Sequence, residues 1–164
     1  MRSHWRRVVI LLTAAMAGGC DGAGRNGTPA TGPAAMLPRQ VRIHAFSSTR
    51  PFAVEGGING IDLRVEALDE FGDTTKAFGE FRFEMYEYRR HSEDPRGQRL
   101  NVWVVALEDP KENLAHWDGI SRTYRFRLGW ASPLPAGRQF VMAVVHSSPY
   151  GPRLFDQRVL VSGE

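Results

Sequence analysis

Cysteine is almost absent from this chain: Cys20 is the only one among 164 residues. An intrachain disulfide is therefore impossible, and thiol chemistry would have to use that one residue. Long hydrophobic runs are absent too. Val8–Ala17 (VVILLTAAMA) is the most apolar stretch, well short of the roughly 20 residues that a membrane-spanning helix needs. Nor does the body of the chain carry an excess of positive charge. The whole has 21 Lys+Arg against 18 Asp+Glu, but residues 1–19 hold three arginines and no acid, which leaves 18 of each sign. A nucleic-acid surface needs a basic footprint, so nucleic acid is not an expected partner.

Catalytic signatures are missing as well. There is no H-E-x-x-H, no P-loop and no G-x-G-x-x-G, and Gly119-Ile120-Ser121-Arg122-Thr123 departs from G-x-S-x-G at its last position. His44, His91, His116 and His146 are spread over different segments, whereas metal ligands must converge. The expectation is a protein that is not an enzyme and needs no cofactor.

The N-terminus is the first informative segment. Arg2, Arg6 and Arg7 precede Val8–Ala17, the positive and apolar regions of a secretory signal, whose apolar part runs about 7–15 residues. Residues 1–19 read as a signal peptide for export across a bacterial inner membrane. Asp21–Pro38 (DGAGRNGTPATGPAAMLP) is rich in Gly, Ala, Pro and Thr. Such a segment buries too little apolar surface to repay its ordering entropy. With Cys20 it makes a linker over 20–38, with a reach near ~25 Å for about 18 residues. Residues 39–164 are left for one folded domain, long enough to build a core without a disulfide.

Ala17-Gly18-Gly19-Cys20 resembles the lipobox of bacterial lipoproteins, in which small residues let the backbone enter a membrane-embedded protease. The resemblance implies that Cys20 is acylated and becomes the first residue of the mature chain, anchored to a membrane by its lipid. Ala17 stands where that family most often has Leu. The rival reading is ordinary cleavage after Ala17, since Ala15-Met16-Ala17 fits A-x-A, leaving a soluble exported protein. An unpaired thiol in an oxidising compartment is reactive, and acylation removes it, which favours the lipoprotein. Asp21 follows the cysteine, and in some bacterial groups of that family an Asp there keeps the lipoprotein at the inner membrane, so the resemblance leaves either membrane open.

From Gln40 onward the hydrophobic period becomes two, the mark of half-buried strands. Val41, Ile43 and Ala45 share one parity. So do Ile61, Leu63, Val65 and Ala67, then Phe81, Phe83 and Met85, then Tyr124, Phe126, Leu128 and Trp130. After Met85 the phase breaks: an extra residue near Met85–Tyr86 would keep Tyr86 and Tyr88 on the buried face, and without it they point to solvent. Leu100–Leu107 and Phe140–Val145 are apolar on both parities, the former reading as a central strand. Leu154–Val161 closes the set, with Val159 and Val161 on one parity. Turns are expected at Glu55-Gly56-Gly57, Phe71-Gly72-Asp73, Pro95-Arg96-Gly97 and Pro135-Ala136-Gly137. Only Asp109–Trp117 has helical signals: Asp109 to cap, Pro110 at the first position and Glu112 at capping-box spacing.

About seven short strands with turn-rich connections predict an all-β fold, a single antiparallel β-sandwich. The layout resembles the immunoglobulin-like and transthyretin-like sandwiches of bacterial envelope lipoproteins. It is also similar in general shape to the small lipoprotein of type VI secretion, which implies a scaffold role in a secretion apparatus as one reading. The leading expectation is a binding or structural domain at the cell envelope that docks a protein partner by strand addition. The alternative is a carbohydrate- or Ca²⁺-assisted ligand module. Trp117 and Tyr150, in loop-like contexts, are its candidate contacts, whereas Trp103 and Trp130 read as core. Asp69, Glu70 and Asp73 are weak candidates for a metal, since they lack the spaced D-x-D-x-D-G pattern. If Cys20 is acylated, palmitate labels the wild type and not Cys20→Ala; label that persists in the variant refutes the anchor.

Overall fold

The structure, a computed structural model, describes residues 37–52, 58–130 and 135–163. The segments expected to be signal peptide, acylated Cys20 and linker up to Ala35–Met36 lie outside the described residues, as does the Glu55-Gly56-Gly57 turn. Among the described residues no helix is long and apolar enough to cross a membrane.

Strands form where the hydrophobic pattern places them: β1 (Gln40–Ile43), β3 (Ile58–Leu68), β4 (Glu80–Tyr88), β5 (Arg96–Ala106), β7 (Thr123–Trp130), β8 (Gln139–Ser147) and β9 (Leu154–Val161). Two more were not anticipated, β2 (Ser48–Phe52) and the two-residue β6 (Trp117–Asp118). The one helix is α1 (Pro110–His116), capped by Asp109, whose side chain accepts from the Lys111 and Glu112 amides at 2.8 and 3.1 Å. All pairings are antiparallel. One sheet runs β1-β3-β7-β6, with β2 also on β3, and the other runs β5-β4-β8-β9. This is the antiparallel β-sandwich that the sequence predicts.

The core lies between the sheets. Ile61, Leu63 and Val65 of β3 and Tyr124, Phe126 and Leu128 of β7 face Phe81, Phe83 and Met85 of β4 and Phe140, Met142 and Val144 of β8. Rings cross the gap: Phe126 lies 5.3 Å from Phe81 and 4.6 Å from Phe83, centroid to centroid. Each fully buried side chain of this size contributes about 1.5–3 kcal/mol. Trp103 and Trp130 are half-buried against this core, 6.2 Å apart, and the Trp103 indole donates to the Gly129 carbonyl at 2.9 Å.

The structure departs from the sequence expectation at four places and decides between the two readings of Tyr86 and Tyr88. Ala45 is exposed and outside β1. Four residues, His44–Ser47, stand opposite only Leu63 and Arg64 of β3, so the chain bends and resumes as β2 on the same edge. Ser47 holds the bend: its hydroxyl donates to the His44 carbonyl at 2.8 Å and accepts the Arg64 amide at 3.1 Å. Leu100–Leu107 forms an edge rather than a central strand, since β5 pairs with β4 only among the described residues. The extra residues near Met85–Tyr86 belong to β5, where Met85 pairs with Asn101 but Tyr86 with Arg99. The β4 phase is therefore unbroken, and Tyr86 stays on the outer face with Arg82 and Glu84, its hydroxyl bonded to the Glu84 carboxylate. Tyr88 shares that parity. In β9 the parity is reversed: Leu154 and Leu160 pack on the core, while Val159 is exposed. Finally, Arg96 and Gly97 are already in β5; the turn lies before them, where the Arg89 amide donates to the Pro95 carbonyl at 2.8 Å.

Candidate functional site

One end of the sandwich is built by the segment Thr75–Gly79, which leads into β4, and by α1, which crosses from β5 to β6. Gly79 has φ +125° and stands so close to β8 that a Cβ there would sit 2.2 Å from the Ser147 carbonyl oxygen. Only glycine fits. Two residues earlier, buried Ala77 is tied into a polar knot. Its amide donates to the Tyr124 hydroxyl at 2.9 Å, and that hydroxyl donates to Asn113 Oδ1 at 2.8 Å. Asn113 Nδ2 returns to the Ala77 carbonyl at 2.6 Å and reaches the Leu107 carbonyl at 3.2 Å. Burial pushes the Tyr124 phenol above its ordinary range, with the Ala77 and Asn113 hydrogen bonds pulling the other way. The hydroxyl stays protonated and available as a donor.

The knot fixes the helix at a distance from the segment, and a recess of about 320 Å³ opens between them. Its walls are Phe78, Leu107, Pro110 and Leu114, with Lys76, Glu108 and Asn113 also lining it. Leu114 is 65% exposed. Lys76 places its ammonium 4.2 Å from the centre of the Trp117 ring, a cation–π contact, and burial holds its pKa below the ordinary lysine value. Phe78 packs on Tyr150 at 5.7 Å. The two aromatic residues picked from the sequence thus flank one recess, each through a residue that lines it. Tyr150 is exposed as expected, whereas Trp117 is half-buried against Tyr124, 5.1 Å away.

The weak metal candidates are a turn. Asp69 Oδ1 accepts the Phe71 and Asp73 amides, both at 2.9 Å, and Gly72 supplies φ +86°. The carboxylate is occupied by its own backbone, and Phe71 is 82% exposed rather than packed over a site. Among the described residues no three His, Cys, Asp or Glu side chains gather to hold a metal.

The outer face of β3 and β7 is laced by opposite charges. Asp62 is gripped by Arg125 at 2.8 and 2.6 Å, Arg64 meets Asp118 at 3.2 Å, and Glu66 stands 3.9 Å from Arg42. That face offers a partner no single sign of charge.

Lys76, Phe78 and Leu114 carry the recess and were not singled out from the sequence. They sit in a segment without period and on a short helix, and their convergence depends on the knot. The one available signal was Asn113, a poor helix former in the middle of a helix.

Removing the hydroxyl in Tyr124→Phe leaves the Ala77 amide and Asn113 Oδ1 without their partner. The cost expected in urea unfolding is about 1–3 kcal/mol. Asn113→Ala lowers stability too, and the two effects combine less than additively because both break one knot.

Two histidines near this end are held neutral. His146, 1% exposed, lies 4.7 Å from the Phe81 ring, and its Nε2–H donates to the Phe78 carbonyl at 3.1 Å. Its Nδ1 has no hydrogen-bond partner among the described residues. His116 Nδ1–H donates to the Arg125 carbonyl at 3.0 Å. Burial pushes both pKa values below the ordinary 6.5, partly opposed by the Phe78 bond for His146 and by Glu112 for His116. The unfolded chain therefore binds more protons below about 6.5. Stability is level above that pH and declines as pH falls from about 6.5 towards 5. Thermal midpoints measured across this range show the decline, and His146→Gln, which keeps a donor but does not titrate, flattens part of it.

No family model, curated protein or solved structure matches this chain.

Proposed function

We propose that the protein is an exported docking module, tethered by a lipid on Cys20, which captures an extended segment of a protein partner along β5 and performs no catalysis. The observation that carries this reading is the free side of β5, an eleven-residue strand that pairs with β4 only, among the described residues.

The strand divides into two parts. Register shifts against β4 break the pairing between Arg96 and Leu100, whereas Asn101–Ala106 keep regular register. The Leu107 amide donates to the Gly79 carbonyl at 2.7 Å. Antiparallel pairing alternates inward and outward backbone groups, so Val102, Val104 and Ala106 turn their N–H and C=O away from β4. Val104 is 52% exposed. A partner strand there gains main-chain hydrogen bonds and an apolar contact. The arginines at Arg96 and Arg99 discourage indiscriminate pairing beyond this stretch.

Of the other edges, β1–β2 and β9 are joined to each other, and β7 beyond β6 has its Arg125 and Gly129 carbonyls taken by the His116 and Trp103 side chains. Asp156 of β9 accepts the Ile43 amide of β1 at 2.7 Å, and the Gly163 amide donates to Thr49 Oγ1 of β2 at 2.7 Å. β6 covers Thr123 and Tyr124 of β7.

The test is affinity capture from detergent-solubilised membranes with the full-length protein. Val104→Pro removes one outward donor and leaves the ladder to β4 intact, because proline is tolerated on an outer edge. A discrete partner is expected with the wild type and lost with Val104→Pro, while circular dichroism of the two agrees. Equal recovery by both, or no partner with the wild type, overturns the reading.

A further inference from the structure

We propose that the recess at the end of β5 seats the C-terminal residue of the captured segment, its apolar side chain against Phe78, Leu107, Pro110 and Leu114 and its free carboxylate against the Lys76 ammonium. This rests on the strand-capture reading and names the chemistry of the partner.

The first support is position. Leu107 and Glu108 directly follow β5 and line the recess. A segment running beside Asn101–Ala106 in the direction of β5 arrives there with its C-terminal end. The second is size and surface. About 320 Å³ lies at the small end of ligand sites, room for one large apolar residue rather than a folded element, and its walls are almost wholly apolar.

The third is charge. Lys76 rests on the face of Trp117 and forms no ion pair with a carboxylate among the described residues. Its charge is partly desolvated but not neutralised, so an incoming carboxylate gains a charge-assisted hydrogen bond at little further desolvation. An N-terminal ammonium arriving there meets like charge, and an uncharged interior segment brings nothing for Lys76. Glu108, the acid lining the same recess, disfavours acidic side chains next to the terminal residue.

The experiment uses the purified full-length protein and four pools of N-acetylated, fluorescent octapeptides with random bodies. The pools end in Leu/Phe or in Ser, each as free acid and as amide. Anisotropy is expected to show the Leu/Phe free-acid pool binding about tenfold more tightly than its amide, as loss of one charge-assisted contact implies. It should also bind more tightly than the Ser pools. Lys76→Gln, with a thermal midpoint close to the wild type, should abolish the acid preference, and Leu114→Asp the apolar preference. Equal binding of acid and amide, or an acid preference that survives Lys76→Gln, overturns the terminal-carboxylate assignment; if Val104→Pro still weakens binding in that case, strand capture stands. Lys76-dependent binding that is indifferent to Val104→Pro overturns strand capture, and the terminal residue then docks by the recess without it. Binding by none of the pools overturns this proposal, whereas recovery of a Val104-dependent partner from membranes would still uphold strand capture.

Discussion

One hydroxyl organises the functional end of this molecule. Tyr124 projects from β7 into the core and ends in an oxygen fully removed from water. Buried there without partners, it would cost several kcal/mol. Its satisfaction requires the Ala77 amide and Asn113, so the approach to β4 and the helix must both come to it. Asn113 in turn carries the carbonyls of Ala77 and Leu107. Three segments distant in sequence are therefore registered by one residue. A seven-residue helix is too short to be stable by itself. Here it is held by its cap and by this knot, and the recess is the space the knot leaves open.

The sheet edges follow a similar economy. Sandwiches must dispose of unpaired backbone at four edges. This one joins two of them, β1–β2 and β9, through the carboxylate of Asp156 and the hydroxyl of Thr49. On the opposite side α1 and β6 close one half, and the indole of Trp103, bonded to Gly129, closes the other. The β5 backbone is left open beyond that indole. Because Trp103 faces the core and Val104 faces out, one strand seals the sandwich with one parity and presents an apolar surface with the other.

Much of the fold was legible in the sequence. Alternation located five strands, because each has one face in a dry core, and runs apolar on both parities located β5 and β8. Asp109 and Pro110 announced the helix, because capping is local chemistry. What a strand borders is less local. Leu100–Leu107 is apolar on both parities, as an interior strand would be, yet it lies at an edge, where Val104 is exposed and Val102 half-buried. β2 has no signature in the sequence, since Ser48–Phe52 shows no alternation and contains Pro51, which an edge strand tolerates. The face of Tyr86 depended on which strand of a pair held the extra residues, and sequence shows only that the phases disagree. Trp117 and Tyr150 were legible as candidate contacts, whereas Lys76 and Leu114 reach the recess through long-range hydrogen bonding that no local pattern encodes.

The bend at His44–Ser47 splits what would be one long edge into strands of four and five residues. Ser47 substitutes its side chain for a backbone rung at the break. A divided edge gives a neighbouring copy no continuous ladder to extend. For domains crowded side by side on a surface, where encounters are frequent, that break discourages sheet-to-sheet polymerisation along this flank. Self-association through backbone pairing is then directed, among the described residues, towards the side of β5, the same side on which a partner would compete for it.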